Sequence, residues 1–196
     1  TTSSNEICFN DPVALDFDFN QGGVAPFTIN YTVNGNPQSN GPINAGGVTS
    51  ISVTPTVGNN TYIITNIIDN DGCVNQNIIS SQNIYANPLP DINITIAPDT
   101  ICIGDDATLI FSTTSGTPPY VVDYTSNGVI SSANVPLAPQ LINPITNATY
   151  ALTYVTDSKG CESILTDEVT LIVNENPQAT ITSPSENCDG DVIQLQ

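Results

Sequence analysis

Histidine and arginine are absent from this 196-residue chain, and Lys159 is its one basic side chain against nineteen carboxylates. Without an imidazole, neither a Ser-His-Asp nor a Cys-His nucleophilic device can be assembled. Zinc sites draw on several Cys or His together, and the five cysteines here have another explanation. A formal charge of −18 excludes nucleic-acid binding, which depends on cations that neutralise phosphates. The same charge repels an anionic membrane surface. Carboxylate-only catalysis of the glycosidase kind is the remaining enzymatic route, and no carboxylate pair has a spacing that argues for it. The expectation is a protein that is not an enzyme.

Methionine and tryptophan are also missing, and no apolar run approaches the ~20 residues that cross a bilayer. With no initiating Met and no signal peptide, the chain reads as a window on a longer polypeptide whose export signals lie outside it. Charged residues are only 10%, so the polar surface is built from Thr, Ser, Asn and Gln. That suits a solvated β surface. A divalent-cation site is the sharper alternative, which the acidic balance permits without locating.

What is present is a repeat. Thr61 to Cys73 and Thr149 to Cys161 both read T-Y-x-x-T-x-x-x-D-x-x-G-C without a gap. Alternation through this stretch is the period of a β-strand. Asp-x-x-Gly closes it with a turn in which Gly accepts a positive φ. Upstream, residues 23–35 and 116–128 share G-x-x-P-[FY]-x-x-x-Y-T-x-N-G, whose Asn-Gly signals a hairpin. Ile7-Cys8 matches Ile101-Cys102, and Asn187-Cys188 begins the step again, at spacings of 94 and 86 residues. Such periods must be read before anything else. A unit of about 90 residues has the size of an immunoglobulin-like sandwich. The units are 1–87 and 88–176, and 177–196 is the start of a third.

Each complete unit carries a leading cysteine and a hairpin cysteine. Pairing Cys8 with Cys73 and Cys102 with Cys161 closes spans of 65 and 59 residues, and leaves Cys188 for a partner beyond the chain end. Loop entropy assigns roughly 4 kcal/mol to a bridge of that span. The competing reading is buried free thiols in a reducing compartment. Repetition of both positions favours disulfides, and with them an exported protein.

In chain order, 13–19 alternates with Leu15, Phe17 and Phe19 inward and Asp16 and Asp18 outward. Asp16-x-Asp18-x-Asn20 has the outline of a calcium loop but lacks its Gly and distal Glu. Strands are expected at 27–33, 48–54, 62–68 and 77–85, with 36–47 a polar loop with room for a short edge strand. Asn87-Pro88-Leu89-Pro90 is a short, stiff boundary, because Pro fixes φ. Unit two continues with strands at 92–97, 107–113, 120–126, near 129, and at 141–145, 149–156 and 163–173. That makes about seven strands per unit and no helix. Tyr62 and Tyr150 stand where a tyrosine corner forms. Asn30, Asn59, Asn93 and Asn147 begin Asn-x-Thr triplets; the matched places of Asn59 and Asn147 favour a turn role over glycosylation. A Ca2+ ion at the boundaries would draw on Asn87, Asp91, Asn174 and Glu175, which form no dense acidic cluster. Lys159 lies in a turn and has Asp71 as its counterpart, which argues against Lys–Asn isopeptide locking.

The T-Y strand with D-x-x-G resembles the polycystic-kidney-disease (PKD) type of immunoglobulin-like domain. The chain departs from that type at its third strand, where P-[FY]-x-x-x-Y-T-x-N-G replaces the expected W-x-F-G-D-G. This variant, with its paired cysteines, resembles the repeats of very large surface adhesins of gliding Bacteroidota, the SprB-like proteins, over both units and the start of the third. The resemblance implies all-β tandem immunoglobulin-like sandwiches, type IX secretion, cell-surface display, and a role in adhesion or gliding. It also implies O-glycosylation at D-[ST]-aliphatic triplets, of which Asp99-Thr100-Ile101 is one, making Thr100 a candidate site.

The function expected is that of a disulfide-stapled spacer in a long secreted adhesin or filament. Its partners are neighbouring repeats of the same chain, with surface glycans or other cell-surface proteins beyond them. The alternative is an extracellular module that binds polysaccharide or a partner protein through loops 36–47 and 131–140, which differ most between units. Most of the twelve aromatics fall on inward strand positions, which favours core packing over a binding platform.

Overall fold

A computed structural model of the chain describes residues 5–19, 22–44, 47–78, 80–135 and 139–181. They form tandem β-sandwich repeats, without a helix among them. The first set of strands is β1 (Glu6–Cys8), β2 (Val13–Asp18), β3 (Phe27–Val33), β4 (Asn36–Ile43), β5 (Val48–Val53), β6 (Gly58–Ile68), β7 (Val74–Asn75) and β8 (Ser81–Asn87). The second is β9 (Asp91–Ala97), β10 (Thr100–Cys102), β11 (Ala107–Ser115), β12 (Tyr120–Ser126), β13 (Val129–Val135), β14 (Gln140–Ile142), β15 (Ala148–Asp157), β16 (Glu162–Ile164) and β17 (Glu168–Asn174).

The larger sheets of the two sets share one topology, and β9 is an additional strand in the facing sheet of the second. The larger sheet of the first runs β1-β8-β6-β3-β4, with β7 on β6; that of the second runs β10-β17-β15-β12-β13, with β16 on β15. The facing sheets are β2-β5 and β14-β11-β9. Strands β1 and β10 pair in parallel with the last strand of their own unit. The other pairings are antiparallel.

Alternation sets the cores. Val13 and Leu15 of β2 meet Tyr62 of β6 and Ile84 of β8, while Phe27, Ile29 and Ile43 pack with Phe19. Unit two gathers Leu109, Val122, Tyr150, Leu152, Val155 and Leu171 into one cluster. Its β15 changes parity midway: Ala148, Tyr150 and Leu152 are buried, then Val155 and Asp157. A β-bulge is the cause, because Asp123 opposes Tyr154 while Tyr124 opposes Leu152, leaving Thr153 unpaired. Its hydroxyl donates to the Asp123 carbonyl at 2.9 Å. In β6 Thr65 is the bulged residue and donates to Asn30 O at 3.0 Å. The second Thr of the repeated motif is therefore a bulge residue.

Three expectations need adjustment. Residues 36–43 form a full strand, not a polar loop with a short edge strand. Pro37 and Pro42 fit there because β4 is the edge of its sheet, where a missing N–H breaks no ladder bond. The last strand of unit one spans Ser81–Asn87, later than 77–85. Residues 163–173 divide into β16 and β17, which pair with different ends of β15.

Candidate functional site at the junction of the two units

Asp-x-x-Gly-Cys builds the same hairpin twice. In unit two Asp157 Oδ1 accepts the Lys159 and Cys161 amides, both at 2.9 Å, and Oδ2 accepts the Thr117 amide at 2.9 Å. In unit one Asp69 Oδ1 accepts Asp71 N at 3.1 Å and Cys73 N at 2.8 Å, and Oδ2 accepts Val24 N at 3.2 Å. The Cys73 amide, with those of Val24 and Asp71, holds the Asp69 carboxyl below its ordinary value. Asp157 is buried, with 5% exposure.

The leading strands are equally alike. Cys8 stands level with Asn87 and Cys102 with Asn174, so each leading cysteine lies at the C-terminal end of its unit. The hairpin cysteine lies at the opposite end. In unit one Gly58, where β6 begins, pairs with Ala86 beside the Cys8 level, whereas Cys73 follows the end of β6. Eleven strand residues separate those ends by ~35 Å. A disulfide needs Cα atoms about 4.4–6.8 Å apart.

The expected pairings Cys8–Cys73 and Cys102–Cys161 are therefore corrected. The structure joins Cys8 to Cys161, across the junction, with Cα atoms 5.4 Å apart and a sequence separation of 153. Cys73 and Cys102 are free and exposed. Cys188 lies outside the described residues.

Other contacts fix the same junction. Glu6 and Lys159 form an ion pair at 2.7 Å, and Lys159 is the main cause of the Glu6 carboxyl lying below its usual range. The buried Asn87 donates through Nδ2 to Ile7 O at 3.1 Å, tying the end of unit one to its own leading strand. Past it, Leu89 O accepts the Ser115 hydroxyl, and Pro90 is fully buried against Gly116. A Cβ on Gly116 would stand 2.7 Å from Pro90 Cα. Within Asn87-Pro88-Leu89-Pro90, only Pro88 lies between residues fastened to one unit or the other. The junction leaves an open cleft of about 350 Å³ beside Glu6, Cys8, Asn87 and Lys159.

The remaining sequence candidates are scattered. Asp16 accepts a cross-strand bond from Ser50 at 2.5 Å, and Asn20 lies outside the described residues. Asp91 accepts from Thr114, and Asn174 uses its carbonyl for Ile103 N. No group of three or more His, Cys, Asp or Glu converges among the described residues. Thr100 is exposed on β10, an edge strand. Asn147 accepts Val173 N at 2.8 Å, a turn role; Asn59 contacts Thr61 Oγ1 at 3.3 Å. Tyr62 and Tyr150 are buried, and desolvation raises both phenols above their ordinary value. Of loop 131–140, residues 136–138 lie outside the described residues and 131–135 belong to β13. A gap between the sheets of unit one, beside Leu15, Phe17, Tyr31 and Tyr62, measures about 70 Å³. Ligand pockets run to roughly 300–1,000 Å³.

Sequence reasoning missed Lys159 as a junction residue. The available signal was the placing of the chain's one basic side chain two residues before a hairpin cysteine.

No protein-family model matches the chain, and no curated protein matches it in sequence. Among solved structures it is similar to the fibronectin(III)-like modules of Clostridium thermocellum CbhA, with 13% identity and a TM-score of 0.39 over 89% of this chain and 94% of that one. It is also similar to a structure from a 1.5-MDa bacterial ice-binding adhesin, with 16% identity and a TM-score of 0.45 over 92% of this chain. A third is a Ca2+-stabilized adhesin of an Antarctic bacterium that binds ice, with 17% identity and a TM-score of 0.45 over 90% of this chain. The chain spans 65% and 47% of those two adhesin structures.

Proposed function

We propose that this chain is a spacer segment of a long, exported cell-surface adhesin or filament, in which consecutive sandwiches are locked end to end. One observation carries the reading: the Cys8–Cys161 bond joins two units, not two strands of one unit. A bond inside a unit would stabilise that unit and leave the hinge free. A bond across the boundary holds the hinge. The one-residue gap at Pro88 and the Glu6–Lys159 pair act in the same direction. An exported location follows from the disulfide, which persists in oxidising compartments. Surface display through type IX secretion, a part in gliding, and a sugar on the exposed Thr100 belong to the same reading by way of the SprB-like resemblance. Ligands such as surface glycans or partner proteins would be engaged elsewhere along such a stalk.

The test is small-angle X-ray scattering of the chain with its disulfide intact, after reduction, and as Cys8→Ser. The intact chain is expected to fit a single extended arrangement of two units. The reduced chain and the variant are expected to need a spread of interunit angles. A hinge ensemble in the intact chain would overturn the spacer reading. So would antibody labelling that finds a free product near 20.6 kDa in culture fluid and none on cells. That result would favour a small secreted binding module.

A further inference from the structure

The Cys8–Cys161 bond uses the leading cysteine of one unit and the hairpin cysteine of the next. The two cysteines it leaves free are the same two types, at the outer ends of the pair. From this we infer that the bond is one rung of a repeating ladder: Cys102 takes the hairpin cysteine of a following unit, and Cys73 takes the leading cysteine of a preceding one. The partner at each end is a further copy of this unit. This inference rests on the tandem-spacer reading above.

The backbone turns that present the free cysteines match those that present the bonded pair, although the Glu6–Lys159 ion pair has Thr100 and Asp71 at the matched positions. Around Cys8, Phe9 N donates to Asn87 O at 2.8 Å and Asp11 N to Cys8 O at 3.1 Å. Around Cys102, Ile103 N donates to Asn174 O at 3.0 Å and Asp105 N to Cys102 O at 3.0 Å. The intervening residues, Asn10 and Gly104, both have positive φ. At the hairpins, Gly160 N to Asp157 O at 3.0 Å and Ser158 N to Thr117 O at 3.0 Å match Gly72 N to Asp69 O at 3.1 Å and Asn70 N to Val24 O at 2.8 Å. Cys102 and Cys73 are thus presented on the backbone geometry that presents the bonded pair.

What differs is cover. Cys161 is 1% exposed and Asp157 is buried, but Cys73 is exposed and the Asp69 carboxylate bonds lie in the open. Beside Cys73 an unfilled hollow of about 270 Å³ is floored by Phe19, Phe27 and Ile67, with Val74 half exposed at its edge. At the other end Ile103, next to Cys102, is also exposed. Each end is a half-junction.

Each rung forms as two thiols release two protons and two electrons. The oxidant is a disulfide carried by a thiol oxidoreductase of the export compartment, which leaves as a dithiol. The same rung recurs at each boundary, so every unit is bonded to both neighbours. The covalent route from Cys8 to Cys188 then crosses to Cys161 and follows 27 residues, where the backbone alone has 180. Such an array resists extension by pulling.

The test is a disulfide map of the polypeptide as its cells make it, with thiols blocked by N-ethylmaleimide at lysis and cleavage before any reductant. The expected result is a Cys8–Cys161 peptide and a peptide joining Cys102 to the cysteine that follows the next T-Y…D-x-x-G strand. Cys102 should carry no maleimide before reduction and full label after it. Maleimide on Cys102 beside an intact Cys8–Cys161 bond would overturn the ladder and leave the spacer reading standing. Absence of Cys8–Cys161 would overturn both. A Cys102 linkage that survives only as a multimer of separate chains on a non-reducing gel would also overturn it.

Discussion

Replacing Asp157 with Ala tests the hairpin that carries the junction. The side chain accepts three backbone amides, from Thr117, Lys159 and Cys161, each at 2.9 Å. A hydrogen bond to an ionised group contributes ~1.5–3 kcal/mol net, and a buried donor left without an acceptor costs its desolvation. At 5% exposure, water replaces the carboxylate poorly. The three bonds share one acceptor group and do not add, so the expected loss is ~3–5 kcal/mol. Asp157→Asn keeps Oδ1 for Lys159 and Cys161 but turns an amide N–H₂ toward the Thr117 N–H, so it should fall between, at ~1–3 kcal/mol. Asp69→Ala should cost less than Asp157→Ala, because water reaches the amides that Asp69 would release. Urea unfolding followed by circular dichroism, without reductant, gives the three values. Amide exchange should show the Thr117, Lys159 and Cys161 amides losing protection first. A change below about 1 kcal/mol in Asp157→Ala, with those amides still protected, would refute the assignment of the turn's stability to this carboxylate.

Asp69 also makes a pH prediction. Its folded pKa lies below the ordinary 3.8, so its contribution is present above that value and is lost as the pH falls through the folded pKa. Melting of the chain against pH should therefore lose an increment below the ordinary value, and Asp69→Asn should remove that increment; an unchanged acid limb in the variant would contradict this. Gly116→Ala puts a methyl against Pro90 at a φ of +94° and should destabilise unit two by roughly 2 kcal/mol or more, measured by calorimetry; an unaltered melting temperature would show that the linker docks otherwise. Asn60→Ala removes bonds to Thr56 O at 2.6 Å and Gly58 O at 3.0 Å and from the Thr56 amide and hydroxyl, at a site of 1% exposure. It should cost ~2–4 kcal/mol in denaturant unfolding. Ala148 stands at that place in unit two, so Ala148→Asn should bring no matching gain; a gain would mean that the Thr56 turn is not what holds Asn60.

Much of the sandwich was legible because each unit's motifs are local. Alternation marked β2, β3 and β6, Asn34-Gly35 and Asn127-Gly128 marked hairpins, and Asp-x-x-Gly marked the turn at Cys161. Positive φ at Asn34 and Asn127 and their bonds to Thr61 and Thr149 match that reading. The bulge at Thr153 was hidden, because a two-residue period is lost locally where one extra residue enters a strand. The two-strand pairing of β1 was hidden for a different reason. A three-residue segment such as Glu6–Cys8 carries no periodic signal, and its parallel pairing with β8 is a long-range choice. That choice decides the cysteines. A repeat with two cysteines per period is satisfied equally by bonds within units and by bonds between them. Only the end of the sandwich on which each cysteine falls separates the two patterns.

The same distinction explains why a covalent bond sits where it does. Around the bond lie a carboxylate, an ammonium and an amide, beside Ile7, in a cleft open to water. An exposed ion pair between flexible side chains is screened by salt and orders little. The two units of this acidic chain repel each other, which separates them but does not fix the angle between them. Burying more apolar area at each boundary would fix it, and would also leave an apolar face exposed on any unit without a neighbour. A disulfide between the end of one sandwich and the start of the next limits that exposure to small patches such as those at Val74 and Ile103. It restricts the angle without a large interface, and its strength does not depend on ionic strength. In the proposed spacer, a stiff and sparsely charged stalk, such a bond contributes most.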